Sequence, residues 1–277
     1  MAPTLAGALP ARPTAPSACA FDAIRFGLSG AAAPARGDGL PVARAIRPDS
    51  DRQRDAGPEA ASTLFVGMVA HELRAQLRTA DALRGRIAEV SGDAEAAAGL
   101  LARLAASHRR MEATLADLLA LARADAAPLA RAPVDLTALA WSIVADLESA
   151  DPDARVDWVI EPAMSASGAP GLLRLLLANL IGNAFKYTRR AGVPCVQFFC
   201  TAGHGGRREY HVCDNGIGFE PAEASGLFAP FHRLAGAAEY AGTGLGLAMV
   251  KRIALRHGGG VRAAGAPGCG ARLTFWI

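Results

Sequence analysis

The chain has 277 residues, enough for about two domains, and 51% of them are hydrophobic, so a packed core is expected. Its 29 basic and 26 acidic residues leave a net charge of +3, which is too balanced for a nucleic-acid-binding face. The five cysteines form no CxxC pair and have no histidine at metal-ligand spacing, so we expect free thiols in a reducing cytoplasm rather than a metal or redox centre.

Membrane insertion is not predicted. The best apolar run, residues 172–185, is interrupted by Arg174, Asn179 and Asn183 and falls short of the roughly 20 apolar residues that a spanning helix needs. The N-terminus lacks the charged-then-apolar layout of a signal peptide. We therefore expect a cytoplasmic protein without a transmembrane span.

Residues 1–60 are rich in Ala, Pro, Gly and Arg and show little hydrophobic periodicity. This composition predicts a low-complexity, disordered segment. The alternative is a short docking element around residues 21–28, where the apolar side chains of the segment concentrate.

Residues 61–126 carry the pattern of a helical hairpin. A first helix begins near Leu64, with apolar positions at Val69, Leu73, Leu77, Ala80 and Ile87, and a turn follows at 91–93. The second helix has a seam at alternating steps of three and four, formed by Leu101, Leu104, His108, Met111, Leu115, Leu118 and Ala122. Since one hairpin cannot bury both seams, the pattern predicts a homodimer with a four-helix bundle.

Residues 127–277 change to a mixed pattern, after the breakers Pro128 and Pro133. Helices are predicted at 136–149, 172–186 and 245–256, and strands at 156–160, 193–200, 209–213, 261–264 and 272–276. Helices on one layer and strands on the other make an α/β two-layer sandwich, so the whole chain is of the α+β class.

The helix at 172–186 carries polar residues in the spacing NxxxNxxKY. Asn179 and Asn183 lie on one face, and an amide oxygen suits Mg²⁺. Lys186 can reach a phosphate, and Tyr187 can lie against a base. A polar helix end without function explains any one of these residues, but hardly all four in an otherwise apolar helix.

Two glycine-rich segments follow. Asp214 ends a strand and precedes Gly216 and Gly218; a carboxylate can accept a hydrogen bond from the amine of adenine, and the glycines let the backbone approach a nucleotide. Further along, the GxGxG spacing immediately before a helix offers backbone N–H groups to an anion, at Gly242, Gly244 and Gly246. The stretch 227–234 between the two segments suits a mobile lid.

In this order, the Asn helix, DNGIGF, LFAPFHRL and GTGLGLAMVKRIALRHGG resemble the ATP-binding domain of bacterial sensor histidine kinases, of the histidine kinase, gyrase and chaperone ATPase type. The resemblance covers about residues 61–277. It implies that ATP and Mg²⁺ are bound, with the metal on Asn183, adenine on Asp214, and phosphates near Asn179, Lys186, Gly242, Thr243, Gly244 and Gly246. Phe228 and Phe231 would anchor the lid.

The same resemblance makes His71, followed by Glu72 on the first hairpin helix, the phosphate acceptor. A neutral imidazole is nucleophilic through one nitrogen while a carboxylate orients the other. The chain departs from the family at Ala75, where Thr or Asn is common, and at Gln76, where proline is common. The missing proline predicts a straighter helix, and the missing polar group predicts weak phosphatase activity.

The resemblance thus implies an ATP-dependent protein histidine kinase that autophosphorylates on His71. A separate response regulator receiver domain, through its aspartate, would then accept the phosphoryl group. Two alternatives stay open: a non-catalytic nucleotide-binding scaffold, and an ATPase or serine kinase of the same fold.

Overall fold

The structure, a computed structural model, describes residues 58–90, 93–126, 128–234, 236, 239–240 and 242–277, with side chains from residue 67 onward. The predicted low-complexity segment lies outside the described residues up to residue 57. Among the described residues, no helix combines the length and the apolar character that crossing a membrane requires. Among the described residues, Cys195, Cys200, Cys213 and Cys269 form no disulfide bond.

Two long helices form the predicted hairpin. They are α1 (Pro58–Glu89) and α2 (Ala94–Ala126), so α1 begins ahead of the predicted start. Asp93 begins α2, because its Oδ1 accepts hydrogen bonds from the N–H groups of Glu95 and Ala96 at 3.1 and 3.0 Å. No proline interrupts α1 within residues 59–89 of its described span.

The inner face of the hairpin is offset from the predicted seam. On α2, Leu100, Ser107, Thr114 and Leu121 are buried at every seventh position, whereas Leu101 and Leu115 are 53% and 54% exposed. His108, predicted to be a packing residue, is also exposed. On α1, Leu77 is 54% exposed and Gln76 takes the inner position instead. Of the predicted seam on α2, Leu101, His108 and Leu115 therefore lie on the outside of a single hairpin, where a further partner could cover them, whereas Leu104, Met111 and Leu118 are half-buried.

The remaining chain forms the predicted two-layer sandwich. Its helices are α3 (Leu136–Ala150), α4 (Pro170–Thr188) and α5 (Gly246–Arg256). The main sheet has the order β2-β4-β5-β7-β6, in which only β2 and β4 are parallel, among the described strands. Its strands are β2 (Asp157–Ile160), β4 (Cys195–Ala202), β5 (Arg208–Asp214), β6 (Gly260–Gly265) and β7 (Ala271–Trp276).

A second sheet of two short strands was not predicted. β1 (Ala132–Asp135) pairs antiparallel with β3 (Ser165–Gly168). Apart from Val134, the residues of these four-residue strands (Ala, Ser, Gly, Asp and one Pro) have low intrinsic β-propensity, so the pairing in the folded protein defines the strands. β1 leads directly into α3, whose first turn is capped by Asp135 accepting from the Ala138 N–H at 2.8 Å.

One face of the main sheet carries the core. Leu173, Leu176, Leu177 and Leu180 of α4 are at most 1% exposed and belong to the same cluster as Phe198 of β4 and Phe275 of β7. Burying each such side chain contributes about 1.5–3 kcal/mol. Since the apolar face of α4 is committed to the sheet, its polar face must point away from the core.

The opposite face of the sheet carries polar pairs. His211 lies between Thr201 and Thr274, with ring nitrogens 2.8 and 3.0 Å from their hydroxyl oxygens. Burial, together with Arg272 and Arg262, lowers the pKa of His211 to about 4, so the ring is neutral at physiological pH. This face therefore needs no second helical layer to satisfy its buried polar groups.

Candidate nucleotide-binding site

The polar face of α4 lines a cavity of about 350 Å³. Asn179, Asn183, Lys186 and Tyr187 follow one another at helical spacing along its wall. The Asn179 side-chain N–H donates to the Leu175 carbonyl at 2.8 Å, which turns its Oδ1 toward the start of α5. The predicted polar helix face therefore exists as one continuous wall.

Lys186 supplies a cation to this wall. Its Nζ lies 4.2 Å from the ring centroid of Tyr187. Burial, and to a lesser degree the charge of Arg233, lowers the pKa of Lys186 to about 8. The ammonium therefore stays mostly protonated at neutral pH, as phosphate binding requires.

Asp214 lies at the end of β5 and lines a second, smaller cavity of about 40 Å³. Asn183 and Tyr187 line both cavities, so the two are neighbouring parts of one cleft. Asp214 is 4% exposed, and its Oδ1 accepts a hydrogen bond from the Gly216 N–H at 2.9 Å. Burial raises the pKa of Asp214 to about 7, although hydrogen bonds from Gly216 and Ala271 oppose the rise.

The glycines beside Asp214 also have a steric reason within the protein, in addition to the predicted approach to a nucleotide. Gly218 has φ +63°, and a Cβ there would run into the carbonyl of Ala266; one at Gly216 would run into the carbonyl of Tyr187. These glycines thus make room for the protein's own backbone around Asp214. Gly218 also lines the smaller cavity, whereas Gly216 is not among the described residues that line it.

The second glycine segment closes the other end of the larger cavity. Gly242, Thr243, Gly244 and Gly246 all line it, and α5 begins at Gly246. Gly244 has φ +78°, and a Cβ there would lie 2.7 Å from the carbonyl carbon of Phe231. The N-terminus of an eleven-residue helix thus faces the cavity, which favours a bound anion.

The segment between the two glycine stretches forms the cavity's outer wall. Phe228 is buried in the main core, and Phe231 has the positive φ of 61°, an unfavourable conformation for a bulky residue. The Phe231 N–H donates to the Gly244 carbonyl at 3.0 Å. His232 and Arg233, which follow, line the cavity. Phe231 therefore connects this wall to the glycine segment.

The hairpin contributes the remaining side of the cavity, through Ala113 and Asp117 of α2. The Thr243 hydroxyl donates to Asp117 Oδ2 at 2.5 Å. Arg252 of α5 pairs with Asp125 at 2.6 Å, and Arg256 donates to the carbonyl of Ala124. The hairpin thus contacts the second glycine segment directly.

His71 and Glu72 lie on α1, outside the set of described residues that line the cavity. His71 is exposed. Gln76 on α1 lies opposite Thr114 on α2, with Nε2 3.3 Å from Oγ1. Because the helices are antiparallel, Asp117 lies level with Leu73, about 3 Å along the axis from His71. The cavity and the exposed imidazole thus share one level of the hairpin.

Comparison with known proteins identifies the ATP-binding part. Residues 168–277 match the family of histidine kinase-, DNA gyrase B- and HSP90-like ATPases. The chain is 32% identical over 209 residues to the probable sensor histidine kinase TcrY of Mycobacterium tuberculosis, covering 74% of this chain and 43% of that protein. It is 33% identical over 217 residues to the phosphate regulon sensor protein PhoR of Pseudomonas aeruginosa, covering 76% and 48%.

The chain belongs to the sensor histidine kinase family. It spans about half the length of these two relatives. The fold agrees with that of the Acinetobacter baumannii histidine kinase AdeS, with a TM-score of 0.54 at 20% identity, over 75% of this chain and 96% of that one. The expected fold, a helical region followed by a two-layer ATP-binding domain, is confirmed.

Some residues of this sensor histidine kinase's cleft were not predicted. The sequence alone assigns no role to His232 or Arg233, yet both line the larger cavity. Asp117 belongs to a different part of the chain, and its sequence neighbours show only a helical pattern. Arg233 could have been suspected as a cation within the lid motif, whereas no local signal marks Asp117.

Proposed function

We propose that the chain is an ATP-dependent protein histidine kinase, which phosphorylates itself on His71 and passes the phosphoryl group to an aspartate of a response regulator receiver domain. The main support is the position of the cleft. It combines a buried carboxylate, an amide-lined helix face and a helix N-terminus, and it lies against the hairpin at the level of His71.

The described residues fit ATP from end to end. Ionised Asp214 would accept a hydrogen bond from the adenine amine, and Tyr187 would lie against the base. Lys186 and the first turn of α5 would face the phosphates. Asn179 Oδ1 lies next to Gly246 at the start of α5, so this side chain would also be near the phosphates.

Mg²⁺ fits the same cleft. An amide oxygen of Asn183 is the kind of hard ligand that Mg²⁺ takes from proteins when phosphates and waters supply the others. Bound there, the ion would neutralise charge on the phosphates. In the described part of the chain, no cluster of three or more His, Cys, Asp or Glu competes for such an ion.

The transfer needs two groups of the hairpin. One ring nitrogen of His71 forms the new N–P bond as the bond from the γ-phosphorus to the bridging oxygen breaks and ADP leaves. Glu72 accepts the hydrogen bond of the other ring N–H and stabilises the positive charge that develops on the ring. ADP and a phosphohistidine are the products, so phosphorus and charge balance.

Two partners follow from this reaction. A second copy would pair through the outer face of the hairpin, and a receiver domain would take the phosphoryl group from His71. A cytoplasmic location stays a prediction from the sequence.

The proposed function is tested with γ-labelled ATP and Mg²⁺. The wild-type chain should retain label, whereas His71→Gln should bind ATP with unchanged affinity and retain none. Equal labelling of His71→Gln would contradict the assignment. Nucleotide binding without any labelling of the wild type would instead favour the scaffold alternative.

A further inference from the structure

A polar layer interrupts the inner face of the hairpin next to the proposed phosphoacceptor. Gln76 of α1 and Thr114 of α2 face one another there, and Thr114 is only 1% exposed. The Gln76 Nε2 donates to Glu72 Oε1 at 2.8 Å, one turn back along α1. Gln76 therefore touches both the carboxylate beside His71 and the second helix.

The hydrogen-bond donors and acceptors in this layer allow only one orientation of the Gln76 amide. An ionised carboxylate can only accept, so the amide must present its NH₂ group to Glu72. The Thr114 hydroxyl donates to the Arg110 carbonyl at 2.8 Å, which leaves its oxygen to accept from Gln76. The two amide hydrogens thus go to Glu72 and to Thr114, and α2 holds the amide in place.

We propose that Gln76 is a positioning residue for Glu72, held by Thr114 across the hairpin. The proposal rests on the phosphoryl transfer to His71 proposed above. Gln76 fixes Oε1 of Glu72, so that Oε2 is the oxygen that accepts from the His71 ring. The carboxylate then starts from one rotamer instead of sampling several, as precise proton positioning requires.

The amide also carries a cost in folding stability. The Gln76 Oε1 is buried and has no hydrogen-bond partner among the described residues, which is unfavourable for folding. An apolar side chain of similar length would suit this inner position better. Position 76 therefore offers a test in which activity and stability change in opposite directions.

The test compares autophosphorylation rates and melting temperatures of the full chain. Gln76→Met should lower the maximal rate at least fivefold, leave the KM for ATP within twofold, and melt at the same or a higher temperature. Thr114→Val, which keeps the shape but removes the acceptor, should lower the rate about threefold. Thr114→Ser, which keeps the hydroxyl, should stay within twofold of the wild type.

Three outcomes would overturn the proposal: a wild-type rate for Gln76→Met, equal loss in Thr114→Ser and Thr114→Val, or a rate loss that only tracks a lower melting temperature. The His71→Gln variant separates this failure from that of the proposed function. If His71→Gln is unlabelled while Gln76→Met is fully active, only the role of Gln76 is wrong. If His71→Gln is labelled, both fail.

Discussion

Asp214 is buried, yet in the proposed function it must be ionised to accept a hydrogen bond from adenine. Since burial raises its pKa to about 7, and adenine hydrogen-bonds to the ionised form, ATP affinity should rise about tenfold between pH 6 and pH 8. Above the pKa of Lys186, about 8, affinity should fall again because the ammonium is lost. Isothermal titration calorimetry with ATP across this pH range measures both the rise in affinity and the fall at alkaline pH.

The control is Asp214→Asn, which cannot titrate and should show only the alkaline limb. The folding stability of the free protein should change with pH in the opposite sense to the ATP affinity, because it should fall as the pH rises. A raised carboxyl pKa stabilises the fold below pH 3.8, and this contribution is lost as the pH rises through 7. An acid limb that persists in Asp214→Asn would assign the titration to the ATP phosphates instead.

Ala75 lies one turn after His71 on the same helix face, and its methyl group cannot hydrogen-bond a water. We therefore expect slow dephosphorylation of a phosphorylated regulator and a several-fold increase in Ala75→Thr. The measurement is the decay of the phospho-regulator with ADP present. Ala75→Val matches the shape of Thr without its hydroxyl, so an equal increase there would exclude water positioning as the cause.

The common position of residues that are neighbours on one helix could be predicted from the sequence. Asn179, Asn183, Lys186 and Tyr187 share one helix, so spacing alone places them on one wall. Asp117 could not be predicted, because it meets Thr243 only after two distant parts of the chain have packed. The contact of Gly218 with the backbone of Ala266 could not be predicted for a similar reason, since Ala266 comes from another loop.

At the scale of elements, α2 occupies one side of the cleft. Asp117 accepts a hydrogen bond from the Thr243 hydroxyl, and it places a negative charge where phosphates would bind. Asp117→Asn should therefore tighten ATP binding about three- to tenfold, equivalent to about 1 kcal/mol of relieved repulsion between partly exposed charges. Titration with a non-hydrolysable ATP analogue measures this change.

The matched control is Asp125→Asn, which removes the ion pair with Arg252 outside the cavity wall. It weakens a different contact of α2, the one with α5, without changing charge in the cleft. Equal tightening in both variants would mean that loosened packing, rather than repulsion by Asp117, limits affinity. Unchanged affinity in Asp117→Asn would contradict the expectation outright.

The long elements follow from periodicity, but their faces do not. Apolar steps of three and four predicted both hairpin helices, yet two seams fit the pattern of α2, one residue apart. The buried seam contains the polar residues Ser107 and Thr114. A prediction based on hydrophobicity alone therefore selected the neighbouring seam, which contains more leucines. The strands β1 and β3 could not be predicted, because neither shows a hydrophobic pattern.

For the whole molecule, the outer face of the hairpin is the unexplained apolar surface. Leu77, Leu101, Leu115 and Leu119 are about half exposed, which is unusual for leucines clustered on adjacent helices. A second copy covering this face would complete a four-helix bundle. Leu101→Glu with Leu115→Glu should therefore shift the chain from dimer to monomer in light scattering after size exclusion.

The corresponding control is Leu255→Glu, on α5, where the leucine is equally exposed at 53% but belongs to the ATP-binding part. It should leave the oligomeric state unchanged. A dimer that survives the two hairpin substitutions would place the interface elsewhere.

The most direct test of the whole account is the position of the phosphoryl group after incubation with Mg²⁺ and ATP. Mass spectrometry of the rapidly digested wild-type chain, kept at alkaline pH, should find one phosphoryl group, on His71, and acid treatment should remove it. Phosphate on a serine or threonine that survives acid would contradict a histidine kinase and support a serine kinase of the same fold.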